Sequence, residues 1–122
     1  MNLQARIQAF TELGKYLKTD IQQEAAEQLY SAQVHNPWFT KENIDKALNA
    51  WQHQLKADML TAWLSPYKIK EVKNQKKVLI IMAGNIPLVG FHDFLTVLIS
   101  GHKVVVKMSS TDNVLLKLLI EK

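Results

Sequence analysis

The stretch that decides the fold is residues 78–107, which read VLIIMAGNIPLVGFHDFLTVLISGHKVVVK. It opens with an uninterrupted apolar run, 78–83, which is typical of a strand buried on both faces. Apolar residues at helical spacing follow, and Gly101 stands where a left-handed residue would end that helix. A second run, 102–108, is rich in β-branched valine and predicts another strand. We therefore expect a β-α-β unit whose strands are parallel and joined by a right-handed crossover.

A further helix is expected after the second strand. Ser109 or Ser110 can cap it, and it would run from Thr111 towards Lys122. Two parallel strands alone leave both edges of a sheet unpaired, and the apolar pattern reaches the last residues without a terminating glycine or proline. These features predict a truncated α/β chain, and the resemblance given below implies that it is the amino-terminal part of a longer protein.

The first half of the chain has helical periodicity. Apolar residues recur at three-, four- and seven-residue steps over 3–21 and again over 44–59, which predicts two amphipathic helices. A third helix is expected over 21–34, stopped by Pro37. Thr40 is the expected N-cap of the helix that follows. The three tryptophans share this helical spacing, which favours packing anchors over a stacking surface: Trp38, Trp51 and Trp63.

Composition limits the class of protein. The 122 residues suffice for one modest domain, and 48% apolar with 21% charged residues argue against disorder. The absence of cysteine excludes a disulfide scaffold, a thiolate-rich zinc site and a nucleophilic sulfur within this chain. No histidine pair has ligand spacing, so we predict no metal site. The amino terminus lacks a signal-peptide pattern and the apolar runs are too short to span a membrane, which predicts a cytoplasmic protein.

Charge and apolar pattern divide the chain into three regions: helices over 1–64, a basic connector over 65–77, and an α/β region over 78–122, which the resemblance given below identifies as the start of a nucleotide-binding domain. The first region carries six Lys or Arg against seven Asp or Glu, whereas residues 65–122 carry nine against four. The connector's five lysines favour a solvated segment, and no nucleic-acid partner is expected, because no aromatic platform accompanies them. An alternative function remains: a non-enzymatic helical module that binds an anionic partner through this connector.

The expected ligand site lies beyond the carboxyl ends of the two strands, at 83–87 and 107–110, which should lie side by side. Neither common glycine-rich phosphate loop is present. The order of strand, Asn-x-Pro turn, helix, glycine and strand ending in lysine resembles the cofactor-binding start of aldehyde dehydrogenases. Residues 84–107, GNIPLVGFHDFLTVLISGHKVVVK, more narrowly resemble the bacterial acyl-CoA reductases that supply long-chain aldehyde for bioluminescence, a branch of that superfamily.

This resemblance implies a Rossmann-like domain and the conversion of a fatty acyl-CoA to an aldehyde through a cysteine thioester. Because the chain has no cysteine, the thiol would lie outside it, and the chain alone should be inactive. We also expect a homo-oligomer or a self-associating chain, since a sheet edge and apolar helix faces would be exposed.

Individual roles also follow from the resemblance. Asn85 matches the asparagine whose amide helps to form the oxyanion hole, although it can also serve only as a turn residue. Lys107 matches the lysine that contacts the adenosine ribose, the alternative being a solvated lysine at a strand end. Ser110 stands where many NAD-using relatives carry glutamate, which favours NADP(H) over NAD(H) as cofactor. The remaining predicted cofactor-binding residues are Met82, Ala83, Gly84 and Ser109.

Overall fold

A computed structural model of the chain describes residues 2–121. Its elements, in order, are helices α1 (Leu3–Thr19), α2 (Ile21–Glu24), α3 (Ala26–His35), α4 (Lys41–Gln54) and α5 (Ala57–Leu64), strand β1 (Lys77–Ile81), helix α6 (Phe91–Ile99), strand β2 (Lys103–Lys107) and helix α7 (Leu115–Ile120). The described residues therefore form an α/β fold with seven helices and one two-stranded sheet, which confirms the predicted class.

The helical half agrees with the predicted pattern but has two extra breaks. Thr40 caps α4 as expected, its hydroxyl accepting a 3.1 Å hydrogen bond from the Asn43 N–H. The predicted helix over 44–59 is interrupted at Leu55, which is fully buried and whose Cβ lies 2.9 Å from where a Cβ on Gly14 of α1 would stand. This break lets both α4 and α5 pack against α1. The helix expected over 21–34 is likewise divided at the buried Ala25, where tertiary packing overrides helix propensity.

The two strands are parallel, as predicted, with Val78 opposite Val104 and Ile81 opposite Lys107. Gly101 ends α6 with a φ of +97°, in the left-handed region that glycine tolerates. The prediction of a strand buried on both faces is wrong. Leu79 is 60% exposed and Ile81 76% exposed, because α6 covers one face of the sheet and no described element covers the other.

The predicted start of the last helix is also wrong. Ser109 and Ser110 do not cap it, because Ser109 instead pairs with Asp112 in an isolated antiparallel bridge. The Ser109 hydroxyl accepts a 3.2 Å hydrogen bond from the Thr111 N–H, which closes a tight turn. Helix α7 consequently begins at Leu115, four residues later than expected.

One hydrophobic core joins the helical half to α6 and α7. Trp51 packs edge-on against the buried Phe91, with ring centroids 4.6 Å apart, and Trp63 is half-buried against the same core. These two tryptophans are packing anchors as predicted. Trp38 is not one, since it is 71% exposed.

Candidate functional site

The loops that follow the two strands lie in contact at one end of the sheet. The Met82 N–H donates a 3.0 Å hydrogen bond to the Lys107 carbonyl, which extends the strand pairing by one residue. Further along, the Thr111 hydroxyl donates to the Gly84 carbonyl at 3.3 Å. The carboxyl ends of β1 and β2 are therefore side by side, in the position where open α/β sheets bind ligands.

Gly84 permits this close approach. A Cβ at this position would lie 2.3 Å from both the Ser109 Oγ and the Thr111 Oγ1. Those two hydroxyls are themselves hydrogen bonded at 2.9 Å. Any larger residue at position 84 would push the two loops apart, so the contact requires glycine.

Asn36, in the turn between α3 and α4, connects both loops. Its side chain is 1% exposed. The Nδ2 group donates to the Gly84 carbonyl at 2.8 Å and to the Thr111 carbonyl at 2.9 Å, while Oδ1 accepts from the Trp38 N–H at 3.0 Å. The local sequence does not mark Asn36 as a site residue, because an asparagine before proline indicates a turn and nothing about distant loops.

Asp112 is a buried carboxyl in the loop after β2. It is 9% exposed, and its Oδ1 has no hydrogen-bond partner among residues 2–121. Burial raises the pKa of Asp112 to about 6 from an ordinary 3.8, against the opposing effect of a hydrogen bond from the Leu88 backbone. Leu88 has a φ of +59°, a strained geometry for leucine that tends to occur at functional loops. Neither residue was predicted, since their burial depends on the docking of the two loops.

Asn85 is exposed and faces a groove of about 390 Å³ between α4 and the loop after β1. The groove is mostly apolar, and besides Asn85 it is lined by Trp38, Asn43, Lys46, Ala47, Ala50, Ile86 and Pro87. A carboxamide beside an apolar groove is suited to hold a carbonyl oxygen while an attached hydrocarbon chain lies in the groove.

The predicted cofactor residues occupy different environments. Met82, Gly84 and Ser109 are partly buried where the loops meet, whereas Ala83, Lys107 and Ser110 are exposed. Lys107 Nζ lies 3.4 Å from the Met108 carbonyl, at the carboxyl end of β2. An exposed ammonium and a nearby serine hydroxyl at a strand end are donors suited to a phosphate or a ribose.

Among residues 2–121, no group of three or more His, Asp or Glu side chains has an arrangement that could hold a metal ion. Within the same residues, no helix combines the length and the apolar character needed to cross a membrane.

These features define an α/β protein with two loops in contact at the carboxyl ends of its parallel strands, where a ligand site is expected. A family model described as acyl-CoA reductase (LuxC) matches residues 4–122. The chain therefore belongs to the LuxC family of acyl-CoA reductases, which are oxidoreductases acting on acyl-CoA. No curated protein and no solved structure matches the chain. The family match favours the reductase interpretation over the non-enzymatic module.

Proposed function

We propose that the chain is part of an NADPH-dependent enzyme that reduces a fatty acyl-CoA to the aldehyde, and that β1, α6 and β2 begin a Rossmann-like domain of the aldehyde dehydrogenase type. The observation that carries this proposal is the pair of parallel strands whose carboxyl-end loops are in contact and place Asn85 at an apolar groove. Membership of the acyl-CoA reductase family supports it.

In this proposal one set of residues binds the acyl group and a second set binds the cofactor. Asn85 donates its amide N–H to the acyl oxygen as negative charge develops there, and the acyl chain lies against Ala47, Ala50 and Ile86. The nucleophilic cysteine, which would carry the acyl group as a thioester, comes from outside these residues, since the chain has none. NADPH, when bound, supplies the hydride, and Lys107 and Ser110 would hold its adenosine ribose and 2′-phosphate.

Asn85→Ala in the full-length enzyme tests the catalytic part of this proposal. Removal of one oxyanion donor typically costs about 3 kcal/mol, so kcat should fall on the order of 100-fold with little change in the KM for acyl-CoA. Asn49→Ala, an exposed asparagine on α4, is the matched control and should leave turnover unchanged. A raised KM with kcat unchanged would instead assign Asn85 to ground-state binding or to turn geometry.

Ser110→Glu tests the cofactor part. A glutamate beside Lys107 would repel a 2′-phosphate, so the ratio of kcat/KM for NADPH to that for NADH should fall or reverse. Asn49→Glu adds the same charge at an exposed position on α4, outside the two loops, and should leave the ratio unchanged. A wild-type enzyme that uses both cofactors, with a ratio unaffected by Ser110→Glu, would show that Ser110 is not at the ribose.

A further inference from the structure

The buried amide of Asn36 has no part in the mechanism above, yet it contacts both loops of the candidate site. We infer that Asn36 is a positioning residue, whose amide holds the loop after β1 against the loop after β2 and thereby orients Asn85. This inference rests on the proposed function of Asn85. It concerns how that side chain is held and adds no group that touches substrate.

The chemistry of the contact is specific to a primary amide. One nitrogen supplies two N–H donors, and each bonds a carbonyl from a different loop, 48 and 75 residues away in sequence. The oxygen of the same group accepts from the Trp38 N–H and so is anchored to the turn before α4. Asn36 is almost completely buried, so water cannot reach the two carbonyl groups while the loops stay in place. Without the amide, these carbonyl groups would lose a hydrogen-bond donor unless the loops separated to admit water.

The connection to Asn85 is covalent and short. The Gly84 carbonyl belongs to the peptide unit whose nitrogen is that of Asn85, and this unit is planar. Asn36 Nδ2 at 2.8 Å and Thr111 Oγ1 at 3.3 Å both donate to this oxygen, from two different parts of the chain. The orientation of the peptide plane, and with it the position of the Asn85 Cα, is therefore fixed from outside the loop that contains it.

Two substitutions remove the contact in different ways. Asn36→Asp keeps the acceptor for Trp38 but turns an acidic oxygen towards the carbonyls of Gly84 and Thr111, so the loops should separate. Asn36→Ser removes both amide donors without adding charge. This variant replaces Asn36→Asp in the tests below if the aspartate variant does not fold. Asn49→Asp is the control for the chemical change, and Leu17→Ala, in the core face of α1, is the control for lost stability.

The kinetic test is a double-mutant cycle with Asn85→Ala in the full-length enzyme. Asn36→Asp alone should lower kcat roughly 10- to 100-fold with the KM for acyl-CoA nearly unchanged, because the reacting groups are misplaced. In the Asn85→Ala background, the same substitution should lower kcat by less than about twofold, since the group that Asn36 positions is already gone. An equal loss in both backgrounds would overturn the inference, as would unchanged kinetics of Asn36→Asp.

Hydrogen–deuterium exchange of the full-length protein provides a test that is independent of turnover. Exchange at the backbone amides of residues 84–90 and 109–112 should rise in Asn36→Asp and stay unchanged in Leu17→Ala and Asn49→Asp. Exchange equal to wild type in Asn36→Asp would overturn the inference whatever the reaction is. If exchange rises as expected but Asn85→Ala leaves turnover intact, the contact between the loops stands, and both the proposed function of Asn85 and its positioning by Asn36 fail.

Discussion

Replacement of Asp112 with asparagine should change how the stability of the chain depends on pH. The wild-type carboxyl is buried beside the strained backbone of Leu88, with one oxygen lacking a partner among the described residues. Burial disfavours its charged form, and the pKa is raised from 3.8 to about 6 in the folded chain. Asparagine has nearly the same shape, can still accept from the Leu88 N–H, and does not ionise.

The sign follows from proton binding in the two states. Below about pH 3.8 the carboxyl is protonated whether the chain is folded or unfolded, so it imposes no penalty. Between pH 3.8 and about 6 the unfolded chain loses its proton while the folded chain retains it, and the free energy of unfolding falls as pH rises. Above about pH 6 the decrease in unfolding free energy levels off at up to about 3 kcal/mol, because each unit between the unfolded and folded pKa values contributes about 1.4 kcal/mol.

Urea denaturation between pH 4 and pH 8, followed by the fluorescence of the three tryptophans, measures this effect. The decisive quantity is the difference in unfolding free energy between Asp112→Asn and wild type at each pH. The unfolding free energy of Asp112→Asn minus that of wild type should rise by roughly 2–3 kcal/mol from pH 4 to pH 8. A comparison across pH cancels any constant penalty from burying the new amide N–H₂ group.

Asp20→Asn is the matched control, because Asp20 is exposed and its side chain makes no N-cap hydrogen bond to α2. The change with pH should be larger for Asp112→Asn than for this control. If the Asp112→Asn difference changes with pH no more than the Asp20→Asn difference does, the Asp112 carboxyl ionises in contact with water. The interpretation that docking of the two loops buries it would then be refuted.

Two further predictions concern the loop contact and the open face of the sheet. Gly84→Ala should lower the unfolding free energy by about 1–3 kcal/mol, since its Cβ would overlap the hydroxyls of Ser109 and Thr111; an unchanged urea midpoint would show that the loops separate without penalty. Ile81→Lys should reduce self-association of the 122-residue chain, measured by light scattering, because Leu79 and Ile81 expose apolar surface on one face of the sheet. Self-association that persists in this variant would place the contact on another surface.

The predicted adjacency of the two loops is confirmed, whereas the binding and catalytic roles predicted for their residues stay predictions. The pattern around Gly84 and Asn85 indicated a loop at the carboxyl end of a strand, and the contact between this loop and the one after β2 is confirmed. The roles of Asn85, Lys107 and Ser110 stay predictions. Asn36 and Asp112 were not found, because the contacts that join Asn36 to the two loops and Asp112 to Leu88 connect residues 24 or more positions apart. No local spacing marks such a residue.

By itself, the sequence determined the features that depend on neighbouring residues. The apolar runs and the helical period between them specify a β-α-β unit, the backbone freedom of Gly101 ends its helix, and the Thr40 hydroxyl starts α4. Such features arise from backbone geometry and from hydrogen bonds over three or four residues, so they can be predicted from the local sequence.

Only the tertiary structure decided which surfaces are covered and which distant groups meet. An apolar strand is buried on one face or on both according to what packs against it, and here Leu79 and Ile81 remain exposed. The break at Leu55 depends on the close approach of Gly14, and the two loops are held by an amide from a turn far away in the sequence. Burial and long-range hydrogen bonding are properties of the folded arrangement, because the same residues would have other partners in another packing.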